Sequence, residues 1–350
     1  MPDRKGDFVR VRKEAAEKVR KLLMRNNVID GQRYVKHSPS YVLFPVIGIE
    51  SERIKKLLKG AGAEVVKAKG KKKLRSIGYY DLLKKSLNGE ELAKLVKGYD
   101  LLGNIALVEI PKDLEKKRGA IANAILKANR NIETVLEKAG PVSGEYRIRS
   151  VRHIAGKKGF IANYSENGCR MVFDVRRTFF SNRLSYERSR ITALVKEGEK
   201  VVVMFAGVGP FVVEIAKAHK SSMVVGIEKN KHACTYMKKN IELNGLKNAK
   251  AVQGDVRKEF KRYLEYADRV VMPLPKDSLG FINEAVAMAK DVAVIHVYAF
   301  CSIGGAKELE EKIVEQIKKS GAEPKLIFSR VVRPYSAKEE ERVMDFSIKK

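Results

Sequence analysis

Tryptophan is absent from this 350-residue chain, glutamine occurs three times, and there are only three cysteines and five histidines. Cys169, Cys234 and Cys301 lie far apart with no CxxC spacing, which argues against a disulfide framework and a zinc site; all three read as buried packing residues. His37, His153, His219, His232 and His296 contain no i, i+4 pair and give no metal signal. No apolar run approaches the roughly 20 residues that span a bilayer, and no single helix is both basic and strongly apolar-faced. The opening MPDRKGDFVRVRKEAAEK lacks the apolar core of a signal peptide, so the cytoplasm is the expected compartment, with no membrane association.

What is present is positive charge on a chain that can fold. Hydrophobic residues make up 44% of the sequence, enough for the cores of two or three domains. Lysine and arginine number 71 against 42 acidic residues, a net charge of +29, which points to a polyanionic partner drawn in by long-range attraction. Nucleic acid is the leading candidate. The plain alternative is the solvated, Lys- and Glu-rich surface of a heat-adapted protein, and the two are compatible.

The pattern along the chain suggests three parts. Residues 1–70 read as a small α/β module: a helix from about Lys13 to Asn26, a strand Tyr41 to Ile47, a helix Glu50 to Lys59 and a strand Ala63 to Lys67. The lysine-rich KAKGKKKLRS (67–76) marks a linker. Residues 71–178 predict a mixed α+β domain with a strand Ile105 to Ile110 and a long helix from about Leu114 to Lys138. Strands around Tyr146 to Val151, Gly159 to Asn163 and Arg170 to Asp174 follow, and late arginines and lysines suggest an RNA-facing surface. From residue 179 to 350, β-branched runs alternate with amphipathic helices, which predicts a mostly parallel sheet covered on both faces, closed by an antiparallel pair at one edge.

Three segments carry chemistry. FAGVGPF (205–211) places a Gly-x-Gly turn between a strand and a helix, where a side chain at Gly207 or Gly209 would fill ligand space. Glu228 ends the next strand, where a carboxylate can accept from a ribose diol, and Asp255, after the following strand, is placed to meet an adenine edge. Lys229 and Val256 adjoin them. No third glycine follows and Pro210 stands next, so no pyrophosphate need be accommodated, and S-adenosylmethionine fits better than NAD. PLPKDS (273–278) lies at the carboxyl end of a later strand, with Pro273 and Pro275 fixing the backbone. SGEYRIRS (143–150) and FFSNRLSYERSR (179–190) bring Arg147, Arg183, Glu187 and Arg188; methylating a ring nitrogen of guanine needs a base and a cation for the charge spreading onto the carbonyl oxygen. A glutamate flanked by arginines is also a common surface ion pair.

GEYRIR, FFSNRL followed by SYER, MFAGVGPF and VVMPLPK, in this order, resemble the archaeal and eukaryotic type of tRNA (guanine-37 N1) methyltransferase, a Rossmann-like class I enzyme, over nearly the whole chain. The resemblance implies methyl transfer from S-adenosylmethionine to N1 of the guanosine 3′ of the anticodon, with a base extruded into the pocket. It also implies a docking role on tRNA for the N-terminal module. By the same resemblance Arg147 steadies the guanine oxygen, Glu187 is the general base, and Arg183, Arg188, Phe205, Glu228 and Asp255 lie near the cofactor. Two positions depart from the family: Val203 stands where an acidic residue is usual, and Pro273 where an asparagine opens the loop. A transferase of the related wybutosine pathway and a tRNA-binding protein with a decayed centre therefore remain as alternatives. A monomer is expected.

Overall fold

The structure is a computed structural model that describes residues 4–26, 28–31, 33–47, 56, 58–70, 78–96 and 98–350, with main chain only at 4 and 141–143. Its contacts divide it into two compact units, Met1–Gly78 and Tyr79–Lys350.

The first unit is a four-stranded antiparallel sheet of β1 (Arg4–Arg12), β2 (Lys36–His37), β3 (Tyr41–Pro45) and β4 (Ala63–Gly70), in the order β2-β3-β1-β4. The helix Ala16–Arg25 lays Val19 and Leu23 onto Val9, Val11, Val42 and Phe44. Strand β1 has no counterpart among the expected elements, because its buried residues, Phe8, Val9 and Val11, stand among Asp7, Arg10 and Arg12 and are easily taken for a solvated segment. The expected linker needs correction at its start. Lys67 to Gly70 complete β4, paired with Arg4 to Asp7, and Lys67 Nζ lies 3.1 Å from an Asp7 oxygen. Residues 71–76, and most of the expected helix Glu50 to Lys59, lie outside the described residues.

The second unit begins with a mixed sheet of β5 (Asp100–Leu102), β6 (Ile105–Val108), β7 (Thr134–Ser143) and β8 (Ile148–Gly156), with β6 and β7 parallel. A second correction falls here. The long helix expected to Lys138 is the helix Arg118–Ala128, after which the chain turns at Asn129 and enters β7. Ile132 and Val135 continue the helical spacing of Ile121 and Ile125 only by coincidence. Val135 and Leu136 are both fully buried on opposite faces of β7, a pattern that a strand covered on both sides allows. A hairpin of β9 (Ile161–Glu166) and β10 (Cys169–Asp174) follows.

The seven-stranded sheet comprises β11 (Lys200–Met204), β12 (Met223–Glu228), β13 (Ala249–Gln253), β14 (Ala267–Met272), β15 (Ala289–Ser302), β16 (Glu323–Pro334) and β17 (Glu339–Lys349), in the order β13-β12-β11-β14-β15-β17-β16. Strands β11 to β15 run parallel, and β17 inserts antiparallel between β15 and β16. This is the Rossmann-like arrangement the alternation predicted. Val202, Met204 and Val225 build the core on one face, and Val201, Val203 and Val224 that on the other. Helix Lys231–Leu243 ties the hairpin to this sheet: Asn240 accepts from the Val172 amide at 2.8 Å and donates to the Val208 carbonyl at 2.9 Å, and Asn244 engages both main-chain groups of Arg170. The buried Asn240 amide, satisfied on both sides, fixes one orientation, because any slip would strand it without partners.

Candidate active site

The chain crosses from β13 back to β14 on the far side of β11, so the loops after β11 and β14 diverge and leave a crevice at the carboxyl ends of the strands. A cavity of about 1280 Å³ occupies that edge. Of the residues singled out from the sequence, Arg147, Phe205, Gly207, Glu228, Lys229, Asp255, Val256 and Pro273 line it; Gly209, Arg183, Glu187 and Arg188 do not.

The turn after β11 is built from left-handed backbone: φ is 51° at Phe205, 59° at Gly207 and 83° at Gly209. Phe205 bears strain that only glycine escapes, and its ring meets Phe281 edge-on at 4.8 Å on the wall. A Cβ at Gly207 would meet only the Phe179 carbonyl, at 3.7 Å, so that position faces open cavity. Gly209 instead serves packing, as a Cβ there would lie 2.6 Å from Met237 Cγ. Gly209→Ala is therefore expected to cost about 2 kcal/mol from the left-handed backbone and the Met237 clash. A denaturation midpoint equal to that of the native chain would refute this.

Glu228 ends β12 with one oxygen accepting from the Gly207 amide at 2.7 Å and the other from the Asn230 amide at 2.6 Å. A carboxylate offers about four acceptor sites, so these amides leave acceptor capacity free. Burial raises this carboxyl above the ordinary glutamate value, against the pull of the backbone amides. The signs then oppose: the free chain loses stability as Glu228 ionises with rising pH, whereas binding of a diol needs the ionised form. Affinity for an adenosine ligand is expected to fall on acidification, beginning above the ordinary glutamate range, and to lose that dependence in Glu228→Gln. Calorimetric titration across pH checks both. Asp255 caps the short helix Val256–Glu259 through the Arg257 amide at 3.0 Å, and Lys229, 2.8 Å away, holds its carboxyl below the usual range. Lys229 also reaches Glu145 at 2.6 Å, so it joins the 144–147 loop to the β13 end of the cavity.

Pro273 to Asp277 all border the cavity. Val203 does not: it is fully buried in the core beneath the turn.

Arg147 stands in a left-handed conformation, φ 52°, on the loop before β8, with its guanidinium 5.2 Å from the Phe179 ring centroid. Among the described residues it has no carboxylate partner, so its charge faces the cavity uncompensated. Arg183, 57% exposed, pairs instead with Asp100 at 3.2 Å, because the turn Asn182–Leu184 points it toward β5. Arg188 is buried and spent on structure. It bonds Glu166, donates to the Ser181 carbonyl at 3.1 Å and lies 3.3 Å from Glu214. Burial, together with the adjacent Glu166, pushes the Glu214 carboxyl up to about 8.

Glu187 is 1% exposed. Its Oε2 accepts from the Tyr298 hydroxyl at 2.9 Å and from Arg190 Nε at 2.9 Å, while Oε1 has no hydrogen bond and lies 3.4 Å from an Arg330 nitrogen. Arg190 in turn holds Asp345, which meets His296 Nδ1 at 2.7 Å, and His296 Nε2 accepts from Arg269 at 2.7 Å. The carboxylate is close to the cavity without being on its wall. Leu184, one helical turn earlier, and Phe300, two positions beyond Tyr298 or about 7 Å along the strand, both border it.

The wall also contains Tyr146, Phe179, Arg257, Phe281, Phe300, Arg333 and Tyr335, none singled out from the sequence. Phe300 was reachable by the rule that ligands sit at carboxyl strand ends. Tyr335, at the tip of the closing hairpin with its ring centroid 4.1 Å from that of Phe300, carries no local signal. Cys301, expected to be buried, is half-buried on this wall because β15 runs on to Ser302 and delivers it to the rim.

Comparison with known proteins identifies the chain's relatives. The TRM5/TYW2 methyltransferase domain matches residues 162–328, the TYW2 N-terminal domain residues 79–159, and the tRNA methyltransferase 5 N-terminal domain residues 9–59. The chain is 34% identical to the tRNA (guanine(37)-N(1))-methyltransferase Trm5b of Pyrococcus abyssi over 97% of this chain and 98% of that one. The crystal structure of that protein superposes with a TM-score of 0.71 at 31% identity, covering 99% of this chain and 100% of the other. The complex of aTrm5 with tRNALeu gives a TM-score of 0.68 at 28% identity over 97% and 99%. A tRNA(Phe) (4-demethylwyosine(37)-C(7)) aminocarboxypropyltransferase of Methanocaldococcus jannaschii is 30% identical over 63% of this chain and 84% of its own.

Proposed function

This chain belongs to the TRM5/TYW2 methyltransferase family, and we propose that it is a tRNA (guanine-37 N1)-methyltransferase that uses S-adenosylmethionine. The observation that carries this reading is the shared cavity wall: the Gly207 turn, Glu228, Asp255 and the Pro273 loop surround the same space as the uncompensated Arg147.

The residues fit an adenosine-bearing cofactor. Gly207 opens the space, Glu228 retains acceptor capacity for a ribose diol, Val256 offers an apolar surface, and Asp255 can accept from an adenine amine. When bound, S-adenosylmethionine supplies a methyl group activated by its sulfonium charge. The protein has two tasks beyond holding it. Losing the N1 proton spreads negative charge onto the guanine carbonyl oxygen, and Arg147, with no carboxylate to neutralise it, stabilises that charge. Glu187 takes the proton on Oε1, its oxygen without a hydrogen bond, while Tyr298 and Arg190 hold Oε2. A base must come within hydrogen-bond reach of its proton or act through one water, so on this reading the segment Ser181–Leu184, which borders the cavity, gives way when RNA enters. Residues 1–70 dock on the tRNA body, 71–178 form the RNA-binding domain and 179–350 the catalytic one, acting as a monomer in the cytoplasm.

Incubation of unmodified tRNA transcripts with isotopically labelled cofactor, followed by nucleoside mapping, tests the proposal. One methyl on N1 of the guanosine 3′ of the anticodon is expected. A larger, aminocarboxypropyl increment would assign the chain to the wybutosine branch, and absence of cofactor binding in calorimetry would make it a decayed tRNA-binding protein.

A further inference from the structure

A second cavity, of about 390 Å³, adjoins the first and shares with it Arg147, Phe179, Ser181, Arg333 and Tyr335. Its size falls within the roughly 300–1,000 Å³ of pockets that hold small ligands. Leu102, Leu107, Val151, Phe173 and Val175 give it an apolar floor, set into the core between the mixed sheet and the hairpin. Its cations divide into two groups. Lys138 and Arg183 both pair with Asp100, at 2.8 and 3.2 Å, and Arg333 pairs with Glu341 at 2.6 Å. Arg147 and Arg149 have no carboxylate partner among the described residues. Two aromatic rings, Phe179 and Tyr335, stand where the cavities meet.

We propose that this second cavity is a subsite for one nucleotide of the bound RNA, the neighbour of the target guanosine. The inference rests on the RNA-methyltransferase reading above and adds where the strand goes beside the reacting base. An apolar slot with aromatic edges takes a base by stacking, which every base permits. A guanidinium on its wall takes the connecting phosphate, and Arg149, without a carboxylate partner among the described residues, is that group. Phosphate binding here does not have to break an existing ion pair, as it would at Lys138, Arg183 or Arg333. Continuity of the two cavities through Phe179 and Ser181 lets consecutive nucleotides splay apart, one into each. Splaying of this kind holds the target base out of its stack, so the subsite contributes to binding of the extruded conformation and leaves the chemical step untouched.

The test uses the full-length protein and anticodon stem-loop RNAs with an abasic residue immediately 5′ or immediately 3′ of the target guanosine. One of the two abasic RNAs is expected to raise KM about tenfold with little change in kcat, the size of one lost base stack. Arg149→Ala is expected to raise KM on intact RNA by a similar factor, to add little on that abasic RNA, and to recover in part as Arg149→Lys. Fluorescent 2-aminopurine at the same position should be quenched on binding to the native protein and less so with Arg149→Ala. Unchanged KM with both abasic RNAs, or independent multiplication of the two effects, would overturn the subsite. Failure of the native protein to methylate intact RNA would count against the enzymatic reading alone, because 2-aminopurine quenching reads occupancy without turnover.

Discussion

Glu187→Gln is expected to lower kcat by about 10²- to 10⁴-fold, the usual range for removal of a general base, with tRNA affinity unchanged. The substitution is close to isosteric. The amide oxygen of glutamine can still accept from Tyr298 and Arg190, which grip Oε2 in the native chain. What changes is Oε1, whose replacement by an amine leaves nothing to take a proton and sets a donor against Arg330. Because Glu187 belongs to a buried network through Arg190 to Asp345 and His296, some loss of stability is expected as well. Thermal denaturation measured beside single-turnover rates separates the two effects. A variant that is destabilised but turns over within threefold of native would remove Glu187 from proton transfer and leave it an anchor for Arg190.

Arg147→Ala is the second large effect. Loss of one preorganised stabiliser of a developing oxyanion lowers kcat by about 10²- to 10³-fold. Arg147 fits that description through what it lacks: Arg176, Arg183, Arg188, Arg190 and Arg333 are each matched by a carboxylate, whereas Arg147 meets the face of Phe179 and no carboxylate among the described residues. A cation already neutralised has little left for a charge that appears only in the transition state. Arg147→Lys keeps the charge but not the planar fork, and is expected to recover only part of the rate. An unchanged kcat with a raised KM would show that Arg147 merely holds RNA.

Two features of the sequence made much of this legible. Continuous apolar runs such as Val201–Met204 and Val270–Met272 arise where helices cover both faces of a strand, so β11 to β14 could be read almost residue by residue, whereas β15 was legible only from Val292 to Tyr298 of its full span Ala289–Ser302. The glycines and carboxylates of the cofactor edge are local too. Gly207, Glu228 and Asp255 each sit at the end of a strand whose direction is known, and parallel strands bring such ends together. The mixed sheet was less legible. Val135 and Ile132 satisfy helix and strand spacing alike, and only pairing of β7 with both β6 and β8 decides between them.

Sequence alone therefore determined the Rossmann-like fold, which residues stand at the carboxyl ends of its strands, the cationic character and the family resemblance, because each is written in local pattern, charge or ordered motif. Tertiary structure decided which arginines remain without a carboxylate partner among the described residues, that Arg183 and Arg188 do not line the larger cavity, and that Glu187 is buried off its wall. It also decided that a second cavity adjoins the first. Those outcomes depend on which carboxylate reaches which cation across distant segments. Asp100 captures Arg183, 83 residues away, and Asp345 captures Arg190, 155 residues away, and no spacing along the chain encodes such pairings.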